Sequence, residues 1–141
     1  MYTSIAPILG WIVLVAILAL AWLRGGAAER IGALIVLVSA ACAVMIHLLA
    51  PKAVQAPLLL IDEVFVAVSF LALALRYMSV WLGAAMILQA VQFSLHAYYL
   101  IGELPRDHFY AVVNNLDSLG VLLCILIGTL LAWRKRAQLA K

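Results

Sequence analysis

Five apolar runs, each close to 20 residues long and divided by short polar connections, constrain this chain more than any other feature. A membrane-spanning helix needs about 20 mostly apolar residues, because about 30 Å of hydrocarbon is crossed at about 1.5 Å per residue. Residues 5–23, 31–50, 57–76, 80–101 and 109–133 meet that requirement. Between them RGGAAER, PKAVQA, YMS and GELPRDH supply the charges, glycines and prolines of connections. Composition excludes a soluble domain: the chain is 69% hydrophobic and 11% charged, with a mean hydropathy of +1.21. A soluble protein carries about 25% charged residues. The sequence therefore predicts an all-α polytopic membrane bundle of five transmembrane helices, forming a single domain over residues 1–141.

Charge placement predicts the orientation. The net charge of +3 does not mark a nucleic-acid binder, because the basic residues all flank apolar runs. With the N-terminus outside and the C-terminus cytoplasmic, the inner side holds Arg24, Arg30, Arg76, Arg134, Lys135, Arg136 and Lys141. The outer side holds Lys52 and Arg106, the latter beside Glu103 and Asp107. That asymmetry follows the positive-inside rule, and Trp22, Tyr77, Trp81 and Trp133 at inner ends, with Tyr2 and Tyr98 at outer ends, fit the aromatic belts. The expected location is the cytoplasmic (inner) membrane of a bacterial-type cell. Ala19 and Ala21 form an A-x-A-like cleavage site, but no basic segment precedes it, so the first run reads as a retained span. Cys42 and Cys124 lie mid-run without zinc or CxxC spacing and read as small buried side chains.

The unusual chemistry lies in the stretch LLLIDEVFVAV, which sets Asp62 and Glu63 inside hydrocarbon. Counted from the outer ends, Asp62 and Glu63 of the third run, Gln89, Gln92 and His96 of the fourth, and Asn114, Asn115 and Asp117 of the fifth fall in one slab. His47 sits about one turn below the outer end of the second run, and the inner half is almost purely aliphatic. At about 100° per residue, Asp62 shares a face with Val66, Ser69 and Leu73, and Glu63 turns away, toward a partner. Ala85, Gln89, Gln92 and His96 form a second stripe; Tyr110, Asn114, Asp117, Val121, Cys124 and Gly128 form a third. The first run has no polar face and reads as a lipid-facing peripheral span. Intramembrane carboxylates cost about 2.5–3.5 kcal/mol each near the bilayer centre. They must therefore be hydrogen-bonded, protonated or wetted.

These features predict a polar pocket in the outer leaflet half, formed by His47, Asp62, Glu63, Gln92, His96, Asn114 and Asp117. Tyr98, Tyr99 and Tyr110 form its rim. The function read from it is an accessory or ligand-binding membrane subunit; the alternative is proton or cation translocation through the Asp/Glu/His cluster. His47, His96, Asp62 and Asp117 are weak candidates for metal ligands, and a haem held by His47 and His96 is chemically conceivable. No cofactor is predicted, and no G-x-S-x-G, P-loop or dinucleotide fingerprint suggests an enzyme. The bilayer is the first partner, followed by a membrane protein or a second copy of the chain; nucleic acid is not expected.

Overall fold

Each apolar run forms one α-helix: α1 (Ile5–Arg24), α2 (Ala27–Leu49), α3 (Lys52–Tyr77), α4 (Val80–Ile101) and α5 (His108–Leu139). The computed structural model describes residues 5–140, with side chains from residue 8 onward, and contains no strand among them. Tyr2 and Lys141, both used in the orientation argument, lie outside the described residues. α2, α3, α4 and α5 are each long and apolar enough to cross a membrane, and α1 adds a fifth apolar helix of 20 residues. Ile61, Leu75, Ile87 and Leu116 are exposed on the outside of the bundle, as acyl-chain contact requires.

Several helices overrun the predicted spans, and each overrun has a local cause. α2 starts at Ala27, not at residue 31. Only Gly25 and Gly26 remain as a turn, because Glu29 at the third helical position accepts the Gly26 N–H at 2.9 Å and so closes the first turn. A Cβ on Gly25 would lie 2.4 Å from the Ala21 carbonyl oxygen, so the reversal needs glycine there. α3 starts at Lys52, five residues before Pro57, which lies inside the helix and leaves one backbone hydrogen bond of its second turn unmade. The Gln55 amide donates to the Ala50 and His47 carbonyls at 3.0 and 3.3 Å, satisfying the open end of α2 and tying the two helices together. α5 runs to Leu139, about 48 Å at 1.5 Å per residue, and so outreaches the hydrocarbon.

The helices form a closed ring in chain order, α1–α2–α3–α4–α5 and back to α1, with α2 also touching α5 behind α1. α1 therefore sits in the α2/α5 seam, burying Leu14, Ile17, Leu18 and Ala21, and does not reach α3 or α4. The end carrying the α2–α3 and α4–α5 connections is called upper here, and the opposite end lower.

The lower half is dry and closely packed. Lipid tails are as apolar as leucine, so membrane helices associate through close van der Waals fit and polar bonds, not through exclusion from water. Small buried residues supply the fit: Ala21, Ala28, Ala33 and Ala85. Trp81 of α4 is the central wedge. Its ring lies between Gly32 of α2 and Gly128 of α5, where added Cβ atoms would stand 2.9 and 2.5 Å from it. Phe70 of α3 meets it edge-on at 6.5 Å. Its indole N–H donates to Glu29 Oε1 at 3.1 Å, so the one buried carboxylate at this end is fully engaged. The fully buried residues of α2 fall between Ala28 and Ala33, and above them Ile35, Val36 and Ala40 pack on the core while partly exposed.

Candidate functional site

On α3 the buried face is Glu63, Val66, Phe70 and Leu73. This corrects the sequence expectation: Glu63, 6% exposed, points into the bundle, and Asp62 is the one turned aside. The Phe70–Trp81 contact fixes the rotation of α3, and residues one apart then differ by about 100°. Asp62 faces α2, where its carboxylate accepts from Ser39 Oγ. Ser69 also departs from the expected polar face, since its hydroxyl donates back to the Phe65 carbonyl of its own helix at 2.7 Å.

Glu63 Oε1 pairs with His96 Nδ1 of α4. The other imidazole nitrogen, Nε2, lies 3.1 Å from Asn114 Oδ1 of α5, and that same oxygen accepts from Gln92 Nε2 at 3.1 Å. One turn lower, Gln89 reaches the Glu63 backbone carbonyl at 3.5 Å. Three helices thus share one buried chain of polar groups: Glu63, His96, Asn114 and Gln92. Both His96 nitrogens face acceptor oxygens. The pair is satisfied either as carboxylate and imidazolium or with the proton on Glu63. In both forms Glu63 Oε2 stays buried without a partner.

Above the pair lies a cleft of about 300 Å³, lined on its polar side by His96, Tyr99, Tyr110, Glu103 and Arg106, with Leu59 and Leu100 opposite. Tyr110 packs on the His96 ring at 5.2 Å and on Tyr99 at 5.0 Å. Arg106 covers the Tyr110 ring at 5.2 Å. Asp107 holds this wall in place. It caps α5 by accepting the Tyr110 N–H at 2.9 Å, and it accepts the Tyr99 hydroxyl at 2.7 Å. Those two bonds, the backbone one first, hold its carboxyl below the ordinary aspartate range. Of the three predicted rim tyrosines, Tyr99 and Tyr110 line the cleft. Tyr98 is 66% exposed and only meets Tyr99 edge-on.

Asp117 is 4% exposed, and neither carboxylate oxygen has a partner; the Thr129 hydroxyl, three turns lower on α5, is likewise buried and unpaired. His47 does not join the others. The Ser39–Asp62 bond sets the α2/α3 register, which leaves His47 eight residues, or about 12 Å, above the Asp62 level on an exposed face. Of the predicted pocket residues, the structure joins Glu63, Gln92, His96 and Asn114, while Asp62 bonds to Ser39 and His47 stands apart. Among the described residues no group of three or more His, Cys, Asp or Glu side chains is placed to hold a metal ion. His47 lies on an exposed face and both His96 nitrogens face protein oxygens, so the two histidines are not brought together. No family model, curated protein or solved structure matches the chain.

Sequence reasoning missed Glu29, Ser39 and the Asp107 clamp. A glutamate three residues after a Gly-Gly pair is a capping signal and could have placed Glu29 on a helix. Nothing local marks Ser39 as the partner of Asp62.

Proposed function

We propose that this protein is an accessory membrane subunit that holds a polar ligand, or a polar group of a partner chain, at the Glu63–His96 pair. The observation that carries the reading is that His96 lines the upper cleft and is backed by the buried Glu63, with Phe70, Leu82 and Ile125 fully buried below. A buried ion pair is no cheaper than well-packed hydrocarbon of the same volume. Its presence behind an open cleft lined by His96 favours a recognition role for a polar group. The basic side chains of the lower end support an orientation with the cleft facing out of the cytoplasmic membrane.

Purification in mild detergent, followed by mass spectrometry of everything retained, tests this. Wild-type protein should carry a bound small molecule or a stoichiometric partner chain. Glu63→Gln and His96→Gln should lose it, and His47→Ala should keep it. Equal recovery in all four proteins would refute the assignment.

Proton or cation translocation is the second reading, and the unpartnered Asp117 and Thr129 on α5 favour it. Under this reading, protein reconstituted alone in vesicles dissipates a proton or cation gradient, and Asp117→Asn abolishes the leak. Val121 and Ile125, buried between the two polar groups, argue against a continuous path.

A further inference from the structure

The lower rim holds a second cleft, of about 280 Å³, in the seam between α1 and α5, lined by Leu23, Arg24, Trp133, Arg136 and Ala137. Its arginines are held in place by uncharged groups. The Arg24 guanidinium lies 4.7 Å from the centre of the Trp133 ring. Arg136 donates to the Arg24 carbonyl, and nearby Arg30 donates to the Trp22 carbonyl at 2.9 Å. Both bonds satisfy open carbonyls at the C-terminal end of α1, where cations are favoured. Each uses one of five guanidinium donors and leaves the positive charge unneutralised.

The described residues at this end carry six basic side chains, Arg24, Arg30, Arg76, Arg134, Lys135 and Arg136, against the single carboxylate of Glu29. Both Glu29 oxygens are taken, by the Gly26 N–H and the Trp81 N–H. The remaining acidic residues lie in the upper half or at the upper end. Among the described residues no carboxylate pairs with any arginine, so none of them neutralises this charge.

We propose that the Arg24–Trp133–Arg136 cleft binds the phosphate of an anionic phospholipid headgroup. Two guanidinium forks border one space of headgroup size, and forks of this kind match phosphate geometry. The Trp133 indole, under the Arg24 guanidinium, lines the same space, as interfacial tryptophans do. The exposed Leu23 and Trp22 beside the cleft continue onto the lipid-facing surface of α1, where acyl chains would run. A free phosphate would use the same forks but gain nothing from that apolar margin.

The test uses the full chain in detergent micelles, titrated separately with phosphatidylglycerol, phosphatidylcholine and inorganic phosphate, with bound molecules counted by native mass spectrometry. Phosphatidylglycerol should bind in preference to phosphatidylcholine, and inorganic phosphate should not displace it. Arg24→Gln or Arg136→Gln should weaken that binding by roughly fivefold each, and the pair by about 25-fold. Arg76→Gln, at the same end but outside the cleft, should leave it unchanged. Circular dichroism reports folding; if the double variant does not fold, the two single variants decide. The Arg24→Lys/Arg136→Lys protein keeps the charge while losing the forks, and should retain part of the preference. Equal binding of both lipids, or no loss in the Gln variants, overturns the proposal. Displacement by millimolar inorganic phosphate also overturns it, by making this a site for free anions.

Discussion

Alanine placed at four glycines measures how tightly Trp81 is wedged. On Gly128 the new Cβ would lie 2.5, 2.6 and 2.8 Å from Cδ1, Nε1 and Cγ of Trp81, atoms of a rigid ring and not the end of a flexible chain. To make room the indole must move by about 1 Å, since carbon contacts are comfortable near 3.5 Å. Movement on that scale breaks its N–H bond to Glu29, which is buried on both sides. Overpacking costs about 1–3 kcal/mol, and a hydrogen bond to a charged group contributes about 1.5–3 kcal/mol. Gly128→Ala should therefore destabilise the bundle by about 3–5 kcal/mol. Gly32→Ala crowds only the Trp81 ring edge, 2.9 Å from Cη2, with Phe70 Cε1 at an ordinary 3.6 Å, and should cost less, about 1–2 kcal/mol. Gly120→Ala meets the tip of Leu88, which can rotate away, and should be close to neutral. Gly83→Ala meets nothing within 4 Å and should gain up to about 1 kcal/mol of helix propensity. Unfolding of detergent-solubilised protein by added SDS, followed by circular dichroism and tryptophan fluorescence, gives the four values. A Gly128→Ala protein as stable as Gly83→Ala would show that the indole is not confined, and the account of the lower half would fail with it.

Three further outcomes follow from the same contacts. Trp81→Phe removes the donor to Glu29 Oε1 and should cost about 1–3 kcal/mol beyond the lost ring area; adding Glu29→Leu should recover part of that, measured as coupling in a double-mutant cycle. His96→Leu leaves Glu63 buried without its counter-group and should cost about 3–5 kcal/mol, whereas Glu63→Leu/His96→Leu should be more stable than His96→Leu alone. Because the Asp107 carboxyl is held below its ordinary value, its clamp on Tyr99 and Tyr110 should be complete above the unfolded aspartate value of about 3.9. It should be lost as pH falls through the lower folded value, with faster amide exchange at Tyr110, and Asp107→Asn should flatten that response.

The helices were legible in the sequence, because hydrocarbon thickness sets a length that apolar runs must match. The polar stripe of α5 was legible too: Asp117, Val121 and Gly128 are all on its buried face. The rotation of α3 was not. Choosing between Asp62 and Glu63 is a question of about 100°, and Trp81 and Phe70 decide it two turns lower down. The register of α2 against α3 was also hidden. Pro57 suggested a helix start, and moving that start back to Lys52 carried His47 out of the polar level. Glu29 was hidden for a different reason: a charged residue beside two glycines reads as loop until the turn is known to be only two residues long.

The two halves of the bundle are held by different forces, so stability and recognition can be separated experimentally. Below, Trp81 locks α2, α3 and α5 through ring contacts and the Glu29 bond, and nothing in that lock reaches the upper cleft. Above, α2 contributes no fully buried residue past Ala33, and it is held by the partly buried Ile35, Val36 and Ala40 together with Ser39–Asp62 and the Gln55 amide. The Glu63–His96–Asn114 chain instead joins α3, α4 and α5. Glu63→Gln keeps a polar side chain of the same shape behind His96 while removing its charge, and no contact of the lower wedge is altered. Loss of a retained ligand in that variant, with the SDS unfolding midpoint held near wild type, would therefore locate recognition at the pair itself. A parallel loss of ligand and stability would instead mean that the pair is structural glue.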